Sequence, residues 1–216
     1  MDNQEFENII AIELSELSLL NENAIKIARN VIGETLFKTD LYFCSMLNKS
    51  LKLTDGFIDL VKKRNLTCAG ILLRANMDNC LRMYAMFIAE DPDVVIDYII
   101  TGKKIDSLKD KNGKRLKDWY LREQLEKYDN KFSEVYKNVS GYVHFSEKGF
   151  FQSVSALDRE YTLAIQVSHK VPEKANEFII ECVKTYAHFL QFFYSMFKDI
   201  IRVKNDYDKS QEEVDI

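Results

Sequence analysis

The stretch from Leu66 to Glu90, L-T-C-A-G-I-L-L-R-A-N-M-D-N-C-L-R-M-Y-A-M-F-I-A-E, is apolar on nearly every side when wound as a helix. A helix without a polar face needs other helices around it, so this segment is expected to be the buried centre of a bundle. Arg74, Asp78 and Arg82 step by four along it and fall in one stripe. They also break the run of about 20 uncharged residues that a membrane-spanning helix requires. Charges on a buried helix are normally paired. Two readings of the stripe stay open: an internal ladder of ion pairs, or the floor of a polar pocket in which Arg74 binds an anion and Asp78 orients His144.

With only 7 Gly and 2 Pro among 216 residues, the elements around that centre should be long. Phe6, Ile9, Ile10, Leu14 and Leu17 have helical spacing from Asp2 to about Leu20, and a second helical run covers Glu22 to Leu53, with T-D-G at 54–56 as a break or a tolerated irregularity. K-K-R at 62–64 suits a helix end. D-P-D at 91–93 caps a short helix that Gly102 stops. Seven basic residues between Lys103 and Lys117 predict an exposed loop, and helical spacing resumes over Trp119–Tyr128 and from Lys131 to about Val143. Alternation in 150–156 and 161–167 predicts a β-hairpin. From Pro172, Ala175, Ile179, Cys182, Tyr186, Phe189, Phe193, Met196, Ile200 and Val203 predict one long seam, wide enough to reach a second subunit. The expected fold is mainly α: a multi-helix bundle with a central buried helix and one small hairpin near 150–167. It forms a single domain over 1–203, followed by a flexible acidic tail at 204–216.

Composition narrows the function classes. The N-terminus, M-D-N-Q-E-F-E-N, lacks the basic and apolar regions of a secretory signal, and Cys44, Cys68, Cys80 and Cys182 lie among apolar neighbours without metal-ligand spacing. A soluble, cytoplasmic protein with reduced thiols, no metal and no cofactor is expected. The net charge of −4 gives no global attraction to nucleic acid or to a membrane. No phosphate-binding loop, dinucleotide fingerprint, H-E-x-x-H or G-x-S-x-G is present.

The segment Tyr136–Ser146, Y-K-N-V-S-G-Y-V-H-F-S, holds the strongest chemical signal. On a helix, Lys137 and His144 fall within about 20° of one azimuth, with Ser140 between them. An imidazole can move a proton near neutral pH and an ammonium can hold a phosphate oxygen, which suits phosphodiester cleavage without a metal. The competing reading makes His144 a helix-end residue on free carbonyls and Lys137 a solvated side chain. His188 reads as a surface residue, and His169 has no companions.

The run K-N-V-S-G-Y-V-H resembles the R-(N/D/H)-x(4–6)-H signature of HEPN-domain proteins, through Lys137, Asn138 and His144, with lysine where the family has arginine. L-L-R-x-x-x-D at Leu72–Asp78 together with the later Y-x-x-x-S-x-x-V-H is also similar to a loose group of uncharacterised bacterial helical proteins. The HEPN resemblance implies a compact helical bundle of a toxin or phage-defence type system, a homodimer here expected through the C-terminal helix, and RNA or protein as partner. Two functions follow from it. One is a binding or regulatory module. The other is a metal-independent endoribonuclease in which His144 acts as acid and base, Lys137 or Arg74 holds the phosphate, Asp78 orients the histidine, and Ser140, Tyr136 and Arg82 contribute to binding.

Overall fold

Asp2 starts the first helix by accepting the Glu5 N–H at 2.8 Å in the computed structural model, which describes residues 2–144, 154–156, 163–165, 167–168 and 175–212. Helix α1 (Asn3–Ile32) does not stop near Leu20 as the sequence suggested. Asn21, at the expected junction, finds tertiary partners: its amide donates to the Leu51 carbonyl at 3.4 Å and to Asp55 Oδ1 at 3.0 Å on α2 (Lys38–Lys62). The break falls at Gly33. Its φ is +54°, and a Cβ there would lie 2.5 Å from Asp208 Oδ2 and 2.8 Å from Lys204 Cε, so both conformation and space demand glycine. α2 likewise runs through T-D-G. Thr54 donates to the Ser50 carbonyl one turn earlier at 2.9 Å and meets the Tyr186 hydroxyl at 3.2 Å.

α3 (Leu66–Ile88) is the expected central helix. Asn65 caps it, accepting the Cys68 N–H at 3.1 Å, and Leu73, Met77, Cys80 and Leu81 are buried. It packs against α2, α4 (Pro92–Ile100), α5 (Asp118–Leu125), α6 (Phe132–Val143) and α7 (Asn176–Ser195). Asp91 caps α4, with Pro92 in its first turn. The four cysteines are free thiols, Cys80 buried and the others half-buried.

The basic loop between α4 and α5 is organised around a buried carboxylate. Asp110 accepts the N–H groups of Asn112 (2.9 Å) and Lys114 (2.8 Å) and the Tyr120 hydroxyl (2.6 Å). Burial alone would raise its pKa, but these bonds outweigh it and hold the carboxyl below the ordinary carboxylate value.

Between α6 and α7 the described residues contain two three-residue strands, β1 (Val154–Ala156) and β2 (Leu163–Ile165), antiparallel with Val154 opposite Ile165. Most of the hairpin expected near 150–167 lies outside the described residues, as do His169 and Pro172. The described residues form a mainly helical bundle.

The seam expected as one helix divides at Met196, whose N–H turns back to the Phe193 carbonyl at 3.2 Å, beside Ser195, whose hydroxyl bonds the Phe192 carbonyl at 2.7 Å. The short side chain competes with the helical ladder there. α8 (Phe197–Glu212) follows, so the region expected as a tail from 204 is helical through Glu212. Lys204 explains why. It is 4% exposed, its ammonium lies 2.7 Å from the equally buried Asp40 and bonds the Thr35 carbonyl, and it stands 4.3 Å from the Phe37 ring. Its long stem and charge count as tail composition in sequence and as core here. No helix among the described residues is long and apolar enough to cross a membrane.

Candidate functional site

The charged stripe of α3 faces α6 at one end and α5 at the other. Gly70 lets α6 come close: a Cβ at that position would sit 2.5 Å from the Tyr142 ring. One turn along α3, Arg74 reaches α6. Its Nε donates to Ser140 Oγ at 3.0 Å, Nη2 bonds the Tyr136 hydroxyl, Nη1 pairs with Asp78, and Cζ stands 3.5 Å over the Tyr136 ring. The Tyr136 hydroxyl in turn donates to Asp78 Oδ1 at 3.1 Å, and Ser140 donates to the Tyr136 carbonyl at 2.6 Å.

Four of the residues expected at the site are therefore together: Arg74, Asp78, Tyr136 and Ser140. They form a closed network. Burial, followed by the Asp78 carboxylate, pushes the Tyr136 phenol well above its ordinary pKa, so it stays neutral at physiological pH and serves as a hydrogen-bonding bridge. The Arg74 side chain is only 16% exposed. Of the two readings of the stripe, the ion-pair ladder describes its Arg74–Asp78 half.

Arg82 belongs to a second pair, with Asp118 of α5 at 2.6 Å. Two cations that carried no motif in sequence join the band. Arg122 of α5 places Cζ 5.1 Å from the centre of the Tyr136 ring, and Lys49 of α2 feels both Asp78 and Arg82. Desolvation lowers the Lys49 amine below the usual lysine range, with Asp78 opposing and Arg82 reinforcing that shift. Neither residue has a periodic or spaced partner in the chain; only the packing of α2 and α5 on α3 brings them here.

Lys137 and His144 are exposed and separate from this network. α6 ends at Val143, and His144 is its C-cap, with φ −111° and ψ 144°; its N–H reaches the Ser140 carbonyl at 3.3 Å. The helical azimuth that would align His144 with Lys137 no longer applies at an extended residue. Among the described residues no hydrogen bond or ion pair joins His144 to Arg74 or Asp78. Lys137 lines a depression of about 390 Å³ with Arg122, Glu123, Glu126 and Glu134. Three carboxylates against two cations make that depression a poor phosphate cradle.

His188, expected to be a plain surface residue, contacts the Asp129 carboxylate and stands edge-on to Phe189 at 4.9 Å. Among the described residues no group of three or more His, Cys, Asp or Glu side chains is placed to hold a metal ion. In comparison with known proteins, no family model, curated protein or solved structure matches the chain.

Proposed function

We propose that the protein is a HEPN-like helical module that acts by binding, as a regulatory or partner-recognising component of a toxin or phage-defence type system. The observation that carries this reading is the occupation of Arg74. A ribonuclease of the expected kind needs a cation free to hold phosphate beside an imidazole. Arg74 donates hydrogen bonds to Ser140 and Tyr136 and is ion-paired with Asp78, and Lys137 stands among Glu123, Glu126 and Glu134. The resemblance of K-N-V-S-G-Y-V-H to the family signature supplies the HEPN part of the proposal. Self-association through the C-terminal helices belongs to it as well, supported by the exposure of Phe178 on α7 and Val203 on α8, 63% and 64%.

One feature favours the alternative, a metal-independent endoribonuclease. Both His144 and Lys137 are open to an incoming ligand, as an acid/base and a phosphate contact must be.

Incubation of labelled single-stranded RNA with the protein in EDTA separates the two. Equal, background-level cleavage by wild type and His144→Ala is the expected result. Cleavage that disappears with His144→Ala would replace the binding reading with the nuclease. Anisotropy of the same RNA then asks about the partner: saturable binding lost in Lys137→Glu identifies RNA, and no binding points to a protein.

A further inference from the structure

α6 and α7 both seat on α3 and leave between them a groove of about 490 Å³, floored by Val135, Ile180 and Phe189. Its α7 rim reads Glu177, Glu181, Lys184, His188. On a helix these four fall within about 60° of one another, and their order is acid, acid, base, imidazole. A stripe with that polarity is complementary to itself when two copies run antiparallel, and sets like against like when they run parallel.

We propose that a second copy of this chain docks on this face, with the two α7 helices antiparallel across a twofold axis that passes midway between Glu181 and Lys184. The inference rests on the self-association included in the reading above and gives it a surface. That axis sets Glu181 against the partner's Lys184 and Glu177 against the partner's His188. Lys184 is held by Glu13 at 3.3 Å and His188 by Asp129. Both are thus positioned before any encounter, and the cross-pairs fix register while contributing little affinity.

Affinity comes from a ring. Phe178, 63% exposed, is seven residues before Thr185, so it lies within about 20° of that groove-lining residue and on the same flank of α7. A twofold axis perpendicular to the helices keeps equivalent flanks facing each other. It carries each Phe178 to the level of the partner's Thr185 and Phe189, where the groove has an apolar floor. An exposed aromatic and an apolar groove on one surface, related by the symmetry that the charges select, form a self-complementary interface. Lys137, two residues beyond Val135 and about 200° around α6 from it, stays outside.

Light scattering and sedimentation equilibrium of the full chain, from about 1 to 100 μM, test the inference. Wild type should dimerise. Phe178→Glu should be monomeric throughout, with unchanged helical circular dichroism and the melting temperature of dilute, monomeric wild type, because an exposed ring holds nothing within the monomer; the dissociation constant should rise at least about 100-fold. Glu181→Lys should weaken the dimer about tenfold at low salt and much less at 0.5 M salt. A wild-type monomer would overturn both this surface and the self-association reading. A folded Phe178→Glu protein that dimerises as tightly as wild type would overturn the surface alone and direct attention to Val203 and Tyr207 on α8.

Discussion

Whether Arg74 is a structural cation or a ligand-binding one can be read from stability. Arg74→Ala removes two hydrogen bonds from a charged donor, an ion pair with Asp78 and a stacked cation–ring contact at 3.5 Å. Hydrogen bonds to charged groups contribute about 1.5–3 kcal/mol each when buried. Asp78 is 32% exposed, so water takes back part of the ion pair, and ordering the long side chain offsets more. A net loss of about 3 kcal/mol follows. For a chain of this size, 1 kcal/mol moves the melting temperature by about 2–4 °C, so Arg74→Ala should melt about 6–12 °C lower. Tyr136→Phe, which keeps the ring and loses only the hydroxyl bridge, should cost about 1.5 kcal/mol. Because the hydroxyl and the guanidinium bond each other, the double variant should be less destabilised than the sum, by about 1 kcal/mol. Thermal and urea unfolding monitored by circular dichroism give all three numbers. An Arg74→Ala protein that melts within 1 °C of wild type, or a cycle additive within about 0.3 kcal/mol, would refute the closed-network argument and return Arg74 to the role of anion ligand.

Three further outcomes are expected. Lys204→Met leaves Asp40 charged and buried and should cost about 3–5 kcal/mol, with part of the loss recovered in Lys204→Met/Asp40→Asn; urea midpoints decide it. Asp110 has a folded pKa below its unfolded one, so its contribution is complete above the unfolded value and is lost as pH falls through the folded value. The stability gap between wild type and Asp110→Asn should therefore be full at pH 7 and shrink below about pH 4, and a gap that stays constant down to pH 2.5 would contradict the assignment. Burial pushes the Cys80 and Cys182 thiols up, the latter to about 12 with Glu181 adding to the effect. Both should resist iodoacetamide at pH 8 in the native protein and react on unfolding, as mass spectrometry of digests would report.

The long helices were legible because period and composition agree over many residues, and α3 was legible as the centre because it lacks a polar face. What the sequence hid was tertiary compensation. Asn21 and Thr54 carry the local signals of helix ends, yet their polar groups are met by Leu51, Asp55, Ser50 and Tyr186, so the helices continue. Lys204 reads as solvated until Asp40 and Thr35 are placed beside it. At the candidate site, helical spacing on α3 predicted that Arg74 and Asp78 share a face, as they do, whereas on α6 it grouped Ser140 with Lys137 and His144, and Ser140 instead joins Tyr136 at Arg74. The same rule misleads at His144, because it assumes one more helical residue than α6 has. Lys49 and Arg122 had no signal at all, since each arrives from a different helix.

The pairing of Lys204 with Asp40 spans 164 positions of the chain, and at a synthesis rate of about 5–20 residues per second the two charges emerge about 8–33 s apart. During that interval the first turn of α2 has an unneutralised acid where the finished protein is dry. The N-terminal hairpin therefore has to wait, open and wet, for the last helix to be made. A nascent chain stalled before residue 204 should be bound by holding chaperones and cut readily near Gly33, and release of the next few residues should end both.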